Sequence, residues 1–114
     1  MPGEIAYGSL RLRLHLLDLN FLRALFRRAE PVELVLYSRP DCRLCEELKA
    51  ELGRAKPSRP VQLREVNIAG DAELEERYGL SIPVLEIAGR VAFKGRMTAS
   101  EFERKFDRLT RGSS

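Results

Sequence analysis

The chain has 114 residues, of which 44% are hydrophobic and 32% are charged, a balance that predicts one globular domain and excludes a disordered chain. The formal net charge is +3, and its basic residues occur only in short runs, so we expect no nucleic-acid partner. No apolar stretch of about 18 residues occurs, which predicts no membrane-spanning helix and no membrane association. Because the first residues also lack a continuous apolar signal segment, we expect a cytoplasmic protein, acting as a monomer.

The first 30 residues predict a strand followed by a helix. Residues 9–16 alternate apolar and polar side chains, which is the period of a half-buried strand. After Asp18 the apolar residues recur at helical spacing, with Asp18 or Asn20 as the cap. We expect the stripe of Phe and Leu at residues 21–26 to face a core, with a partner surface as the alternative. Pro31 bounds this β-α extension.

The next segment predicts a strand, a helix and a second strand. Residues 33–37 contain a short apolar run, typical of a strand buried on both faces. A loop then leads to a helix that begins at about Cys42 and has leucines on one face. That helix ends at Gly53, where a loop rich in proline and basic residues begins. Residues 61–68 then predict a strand.

The third helix and a hairpin follow. Asp71 is a typical N-cap, and Gly79 lies just past the predicted end of the helix. Residues 84–87 and 90–93 flank Ala88-Gly89, which predicts two antiparallel strands joined by a tight turn.

The last helix begins at a capping box formed by Thr98 and Glu101, and residues 111–114 form a tail. The predicted order is therefore β-α-β-α-β-α-β-β-α. This order predicts an α/β fold with a central mixed sheet and helices on both faces. We expect one domain over residues 1–114, with its core at residues 31–110.

Both cysteines of the chain lie in the segment Cys42-Arg43-Leu44-Cys45, at the predicted start of a helix. Two thiols at this spacing can form a disulfide, and a helix N-terminus favours a thiolate at the first position. We expect Cys42 to be the nucleophile and Cys45 to resolve the mixed disulfide that Cys42 makes. Arg39 and Arg43 would favour the Cys42 thiolate and Asp41 would oppose it, so we expect a modestly lowered pKa of Cys42.

These features resemble the thioredoxin superfamily. The Cys-x-x-Cys pair lies between an apolar strand and a helix, and the element order matches over about residues 9–110. Ile82-Pro83 precedes the hairpin, where the superfamily has a cis-proline facing the cysteines. Residues 37–47 and 78–85 are similar to a bacterial glutaredoxin-like family with a Cys-x-Leu-Cys motif, whereas the extra strand and helix before Pro31 are more similar to thioredoxin.

The chain departs from both branches of the superfamily. The pair between the cysteines is Arg-Leu, and Ser81-Ile82-Pro83 stands where glutaredoxins usually have Thr-Val-Pro. Glutaredoxins usually have a Gly-Gly pair and then an aspartate that bind glutathione, whereas here Gly95-Arg96 is not followed by a clear aspartate. Leu36 occupies the position where thioredoxins bury an aspartate that helps proton transfer.

The resemblance implies a thiol–disulfide oxidoreductase that reduces protein or small-molecule disulfides, with no bound cofactor and with glutathione as the reductant. It implies that the Ile82 backbone, before a cis Pro83, pairs with an incoming peptide or glutathione. Arg39 would contact a substrate carboxylate, unless it is an ordinary surface arginine.

Two other classes of function remain as alternatives. One is a thioredoxin-like binding module whose cysteines do not turn over. The other is a carrier of a metal or an iron–sulfur cluster through Cys42. A structural zinc site needs about four ligands, whereas the chain has two cysteines and one histidine, His15, so we expect no metal site.

Overall fold

The computed structural model describes residues 19–26 and 30–111. The chain divides into two units, one ending at Glu30 and one beginning at Pro31, and each is described by itself. In the first unit, residues 19–26 form a helix, α1, as predicted. Its leucine and phenylalanine side chains are exposed, and the choice between a core-facing stripe and a partner surface stays a prediction. The predicted strand at residues 9–16 and the end of the tail lie outside the described residues.

A four-stranded mixed sheet forms the centre of the second unit. Its strands are β1 (Val32–Ser38), β2 (Val61–Asn67), β3 (Val84–Ile87) and β4 (Arg90–Lys94). Their order across the sheet is β2-β1-β3-β4. The central strand β1 pairs parallel with β2 and antiparallel with β3, and β3 pairs antiparallel with β4. The apolar run of β1 suits this central place, because side chains on both of its faces are covered.

Three helices of the second unit begin at side-chain caps. They are α2 (Arg43–Arg54), α3 (Ala72–Tyr78) and α4 (Ala99–Arg111). The Asp71 carboxylate accepts the Leu74 N–H at 3.1 Å, which confirms the predicted cap of α3. At α4 the Thr98 hydroxyl accepts the Glu101 N–H at 3.1 Å, and the Glu101 carboxylate accepts the Thr98 N–H at 2.8 Å. This reciprocal pair is the predicted capping box, and its hydrogen bonds lower the pKa of Glu101.

Hydrophobic clusters cover both faces of the sheet. The larger cluster joins the sheet to α2 and α4, where Leu48, Phe102 and Phe106 are buried. The rings of Phe102 and Phe106 lie 5.5 Å apart in a tilted arrangement. A smaller cluster on the other face includes Tyr78 of α3 and Val84. Helices therefore cover both faces, as the element order predicted.

The hairpin turn has the conformation that a two-residue connection requires. Ala88 and Gly89 have φ values of 51° and 82°, so both lie in the left-handed region. Glycine adopts this region without strain, whereas alanine does so rarely. Ile87 pairs directly with Arg90 across this turn, which fixes the register at that end of the hairpin.

Candidate active site

The cysteine pair lies at the N-terminus of α2. Cys42 is the N-cap residue, and Cys45 lies in the first turn of the helix. The two are joined in a disulfide with a Cα–Cα separation of 5.2 Å. The backbone N–H of Cys45 donates to the Cys42 sulfur at 3.1 Å. Cys45 is 1% exposed and Cys42 is partly exposed, so a molecule from solvent meets Cys42 before Cys45.

A short loop turns the chain from β1 into α2. Asp41, directly before Cys42, has a φ of 59° and so lies in the left-handed region. Aspartate tolerates this conformation better than most residues with a side chain. The turn at Asp41 lets the next residue take the extended conformation of an N-cap, with φ −100° and ψ 107°.

The loop that contains Pro83 lies at the same edge of the sheet. The peptide bond between Ile82 and Pro83 is cis. Tyr37 near the end of β1 pairs with Val84 at the start of β3, so Pro83 and the loop after β1 meet at this edge. Pro83 is buried, and its carbonyl accepts the Gly95 N–H at 2.7 Å. Sheet pairing thus brings the two predicted loops to the same end of the domain.

Arg39 lies in the loop after β1 and contacts α3, the helix that precedes the Pro83 loop. Its Nη2 donates to the Glu75 carboxylate at 2.6 Å and lies 3.4 Å from the Gly79 carbonyl. The sequence predicted a contact between Arg39 and a substrate carboxylate, and the structure shows that an internal carboxylate is already there. Glu75 was not predicted as a site residue, because nothing in the local pattern of α3 distinguishes it from its acidic neighbours.

Gly79 makes room for this contact. It ends α3 with a φ of −55°, a conformation that any residue adopts. A Cβ at this position would collide with the carbonyl of Glu75 and would lie 3.3 Å from Nη2 of Arg39. The prediction that a glycine ends this helix is confirmed, and the reason is close approach rather than a left-handed backbone.

Arg43, the predicted thiolate-tuning residue, points into solvent. Its side chain is 93% exposed, and its Nε lies 3.7 Å from the Glu47 carboxylate one turn along α2. A charge in this environment is screened by water and partly balanced by its partner. Its effect on Cys42 is therefore expected to be small.

A second polar cluster lies beside the start of α2, in a cleft of about 340 Å³. The buried Ser38 hydroxyl donates to the Glu65 carboxylate at 2.6 Å. Lys49 Nζ lies 3.2 Å from Glu65 and 2.7 Å from Glu46, the residue after Cys45. The hydrogen bond from Ser38 is the main cause of the lowered pKa of Glu65. The hydrogen bond from Lys49 to Glu46 is the main cause of the raised pKa of Lys49.

This cluster was not predicted from the sequence, although one signal pointed toward it. Leu36, where a thioredoxin would have its buried aspartate, is fully buried and pairs in register with Glu65 on β2. A carboxylate is therefore present on the neighbouring strand. The partner strand and its register had to be known before Glu65 could be found.

The part of the chain that the structure describes contains neither a candidate metal site nor a membrane-spanning helix. Within residues 19–26 and 30–111, the acidic, cysteine and histidine side chains form no group of three or more that could hold a metal ion. In the same ranges, no helix is long and apolar enough to cross a membrane. His15 lies outside these ranges.

The fold and the site together define a thioredoxin-like α/β domain with a dithiol pair at a helix N-terminus. The chain belongs to the family described as the glutaredoxin-like domain (DUF836), whose profile matches residues 33–107. The predicted family and fold class are therefore confirmed. A glutaredoxin-like domain with this pair of cysteines has the capacity for thiol–disulfide chemistry.

Solved structures of similar proteins agree with this assignment. Protein XcR50 from X. campestris is 35% identical, covers 66% of this chain and 96% of its own, and gives a TM-score of 0.56. Protein Ne2328 from Nitrosomonas europaea is 26% identical over 68% of this chain and 93% of its own, with a TM-score of 0.54. Protein SA0789 from Staphylococcus aureus shares the fold, with a TM-score of 0.53. It is 16% identical and covers 75% of this chain and 96% of its own.

Proposed function

We propose that this protein is a thiol–disulfide oxidoreductase that reduces protein or small-molecule disulfides through Cys42 and Cys45. The observation that carries the proposal is the asymmetry of the two sulfurs at the N-terminus of α2. Cys42 is partly exposed, whereas Cys45 is buried behind it. This arrangement suits a nucleophile that meets the substrate and a second thiol that acts only on the product.

The exchange consists of two displacements. The Cys42 thiolate attacks one sulfur of the substrate disulfide, and the other sulfur leaves as a thiolate. Cys45 then loses its proton and attacks the Cys42 sulfur, which releases the second substrate thiolate and forms the Cys42–Cys45 disulfide. Two electrons pass to the substrate, and two external thiols restore the dithiol form. The N–H groups at the start of α2 stabilise the Cys42 thiolate, and the solvent-exposed Arg43 adds only a small contribution.

The loop at Pro83 supplies the substrate platform in this proposal. The backbone N–H and C=O of Ile82 pair with an extended substrate segment, in the manner of an added strand. Arg39 provides a positive charge for a substrate carboxylate at the same edge of the sheet. The cis bond and the shared edge support this assignment.

Glutathione is the proposed electron donor, and the exchange needs no bound cofactor. A reducing compartment such as the cytoplasm suits a dithiol that must be regenerated after every turnover. One chain carries both thiols, so a monomer is sufficient for the reaction.

The test is reduction of a peptide disulfide by dithiothreitol, with and without the protein. Acceleration by wild type but not by Cys42→Ser supports the exchange and its nucleophile. No acceleration by wild type would overturn the proposal and favour a binding module. Replacing dithiothreitol by glutathione then tests the donor. A visible absorption band in freshly purified protein that is lost in Cys42→Ser would favour a metal or cluster carrier instead.

A further inference from the structure

Arg39 already holds a carboxylate of its own chain, and we infer that Glu75 makes this site selective against acidic thiol ligands such as glutathione. The inference rests on the proposed function, and it concerns which disulfides the site accepts. Glu75 competes with a ligand carboxylate for the Arg39 guanidinium. Disulfides without a carboxylate near this position meet no such competition.

The Arg39–Glu75 pair can be displaced by an incoming ligand. Both side chains are 37% exposed, so solvent and solutes reach them. An ion pair this exposed contributes little to stability, and opening it therefore costs little. The pair uses one guanidinium nitrogen, Nη2, whereas a ligand carboxylate that binds two nitrogens is held more strongly. A suitably placed ligand can therefore replace Glu75, but at a reduced affinity.

The charges around Arg39 favour the same conclusion. Helix α3 carries three glutamates and a single arginine, Arg77. The Glu75 carboxylate lies 2.6 Å from the Arg39 guanidinium, so it repels a ligand carboxylate that approaches the same group and offsets part of its positive charge. Glutamine at position 75 retains the shape and an acceptor oxygen but removes the negative charge.

A binding experiment on the oxidised protein tests the inference without turnover. Oxidised wild type, Glu75→Gln and Glu76→Gln are titrated by NMR with S-methylglutathione and with the diethyl ester of its N-acetyl derivative, which carries no charge. Glu76 is the matched control, because it is an exposed glutamate directly after Glu75 on α3. We expect Glu75→Gln to lower the Kd for S-methylglutathione about threefold, which is the range of an exposed ion pair. The Kd for the ester stays unchanged, and Glu76→Gln changes neither Kd.

Other results would overturn the role of Glu75. If Glu75→Gln weakens both ligands equally, the pair only holds the two loops in place. If the Kd for S-methylglutathione does not change, or if Glu76→Gln lowers it equally, Glu75 does not set selectivity.

In a turnover assay with a glutathione mixed disulfide, Glu75→Gln lowers KM and leaves kcat unchanged. Absence of any turnover by wild type would overturn the proposed function, whereas unchanged binding in Glu75→Gln would overturn this inference alone.

Discussion

The hydrogen bond between Ser38 and Glu65 stabilises the edge of the sheet beside the cysteine helix. Ser38 is 3% exposed, and its hydroxyl lies 2.6 Å from the carboxylate. A hydrogen bond to a charged acceptor contributes about 1.5–3 kcal/mol when it is shielded from water. The Glu65 side chain is 39% exposed, so screening reduces this contribution. We expect Ser38→Ala to lower the free energy of unfolding by about 1 kcal/mol at pH 7.

The same bond predicts how stability changes with pH. Ser38, with a smaller contribution from Lys49, lowers the pKa of Glu65 in the folded protein. The stabilisation is therefore fully present above the unfolded pKa of a glutamate, about 4.3, and is lost as the pH falls through the lower folded pKa. The advantage of wild type over Glu65→Ala should accordingly shrink as the solution is made more acidic than about pH 4.

Urea denaturation followed by circular dichroism measures this coupling. Oxidised wild type, Ser38→Ala, Glu65→Ala and the double variant are compared at neutral and at acidic pH. We expect a coupling of about 1 kcal/mol at pH 7 that falls toward zero in acid. Ser100→Ala is the control, because Ser100 is exposed. Additive effects of the two substitutions at pH 7, or a coupling that persists in acid, would refute the reasoning.

Three further predictions concern the thiols and the core. Cys45→Ser should accumulate a stable mixed disulfide between Cys42 and glutathione after treatment with glutathione disulfide, and a mass spectrum without the adduct would contradict the assigned roles. Arg43→Ala should raise the pKa of Cys42, but by less than about half a unit because the side chain is solvated; the pH profile of alkylation measures this, and a lowered pKa would contradict it. Phe106→Ala should lower the free energy of unfolding by about 3–5 kcal/mol in urea denaturation, because the ring is fully buried; exposed Arg104→Ala on the same helix is the control, and equal losses would refute a core role.

The sequence by itself determined most of the elements of the second unit, because their signals are local. The capping box at Thr98 needs only a spacing of three residues, and the structure forms both of its hydrogen bonds. The hairpin around Ala88-Gly89 follows equally from neighbouring residues. The cysteine pair at the start of α2 was predicted for the same reason. The apolar stripe of α1 has the helical period that the sequence predicted, but a period does not show what covers it.

Only the tertiary structure decided which distant polar side chains pair with one another. Arg39 and Glu75 are 36 residues apart in sequence, and Ser38 and Glu65 are 27 apart. Their contacts depend on the parallel register of β1 with β2 and on the packing of α3 against the sheet. The periodicity within one element does not carry that information. A polar residue contributes the same pattern whether its side chain faces water or a distant partner. Local spacing predicted the cysteine pair at a helix start, whereas packing between distant elements determined the contacts of Ser38 with Glu65 and of Arg39 with Glu75.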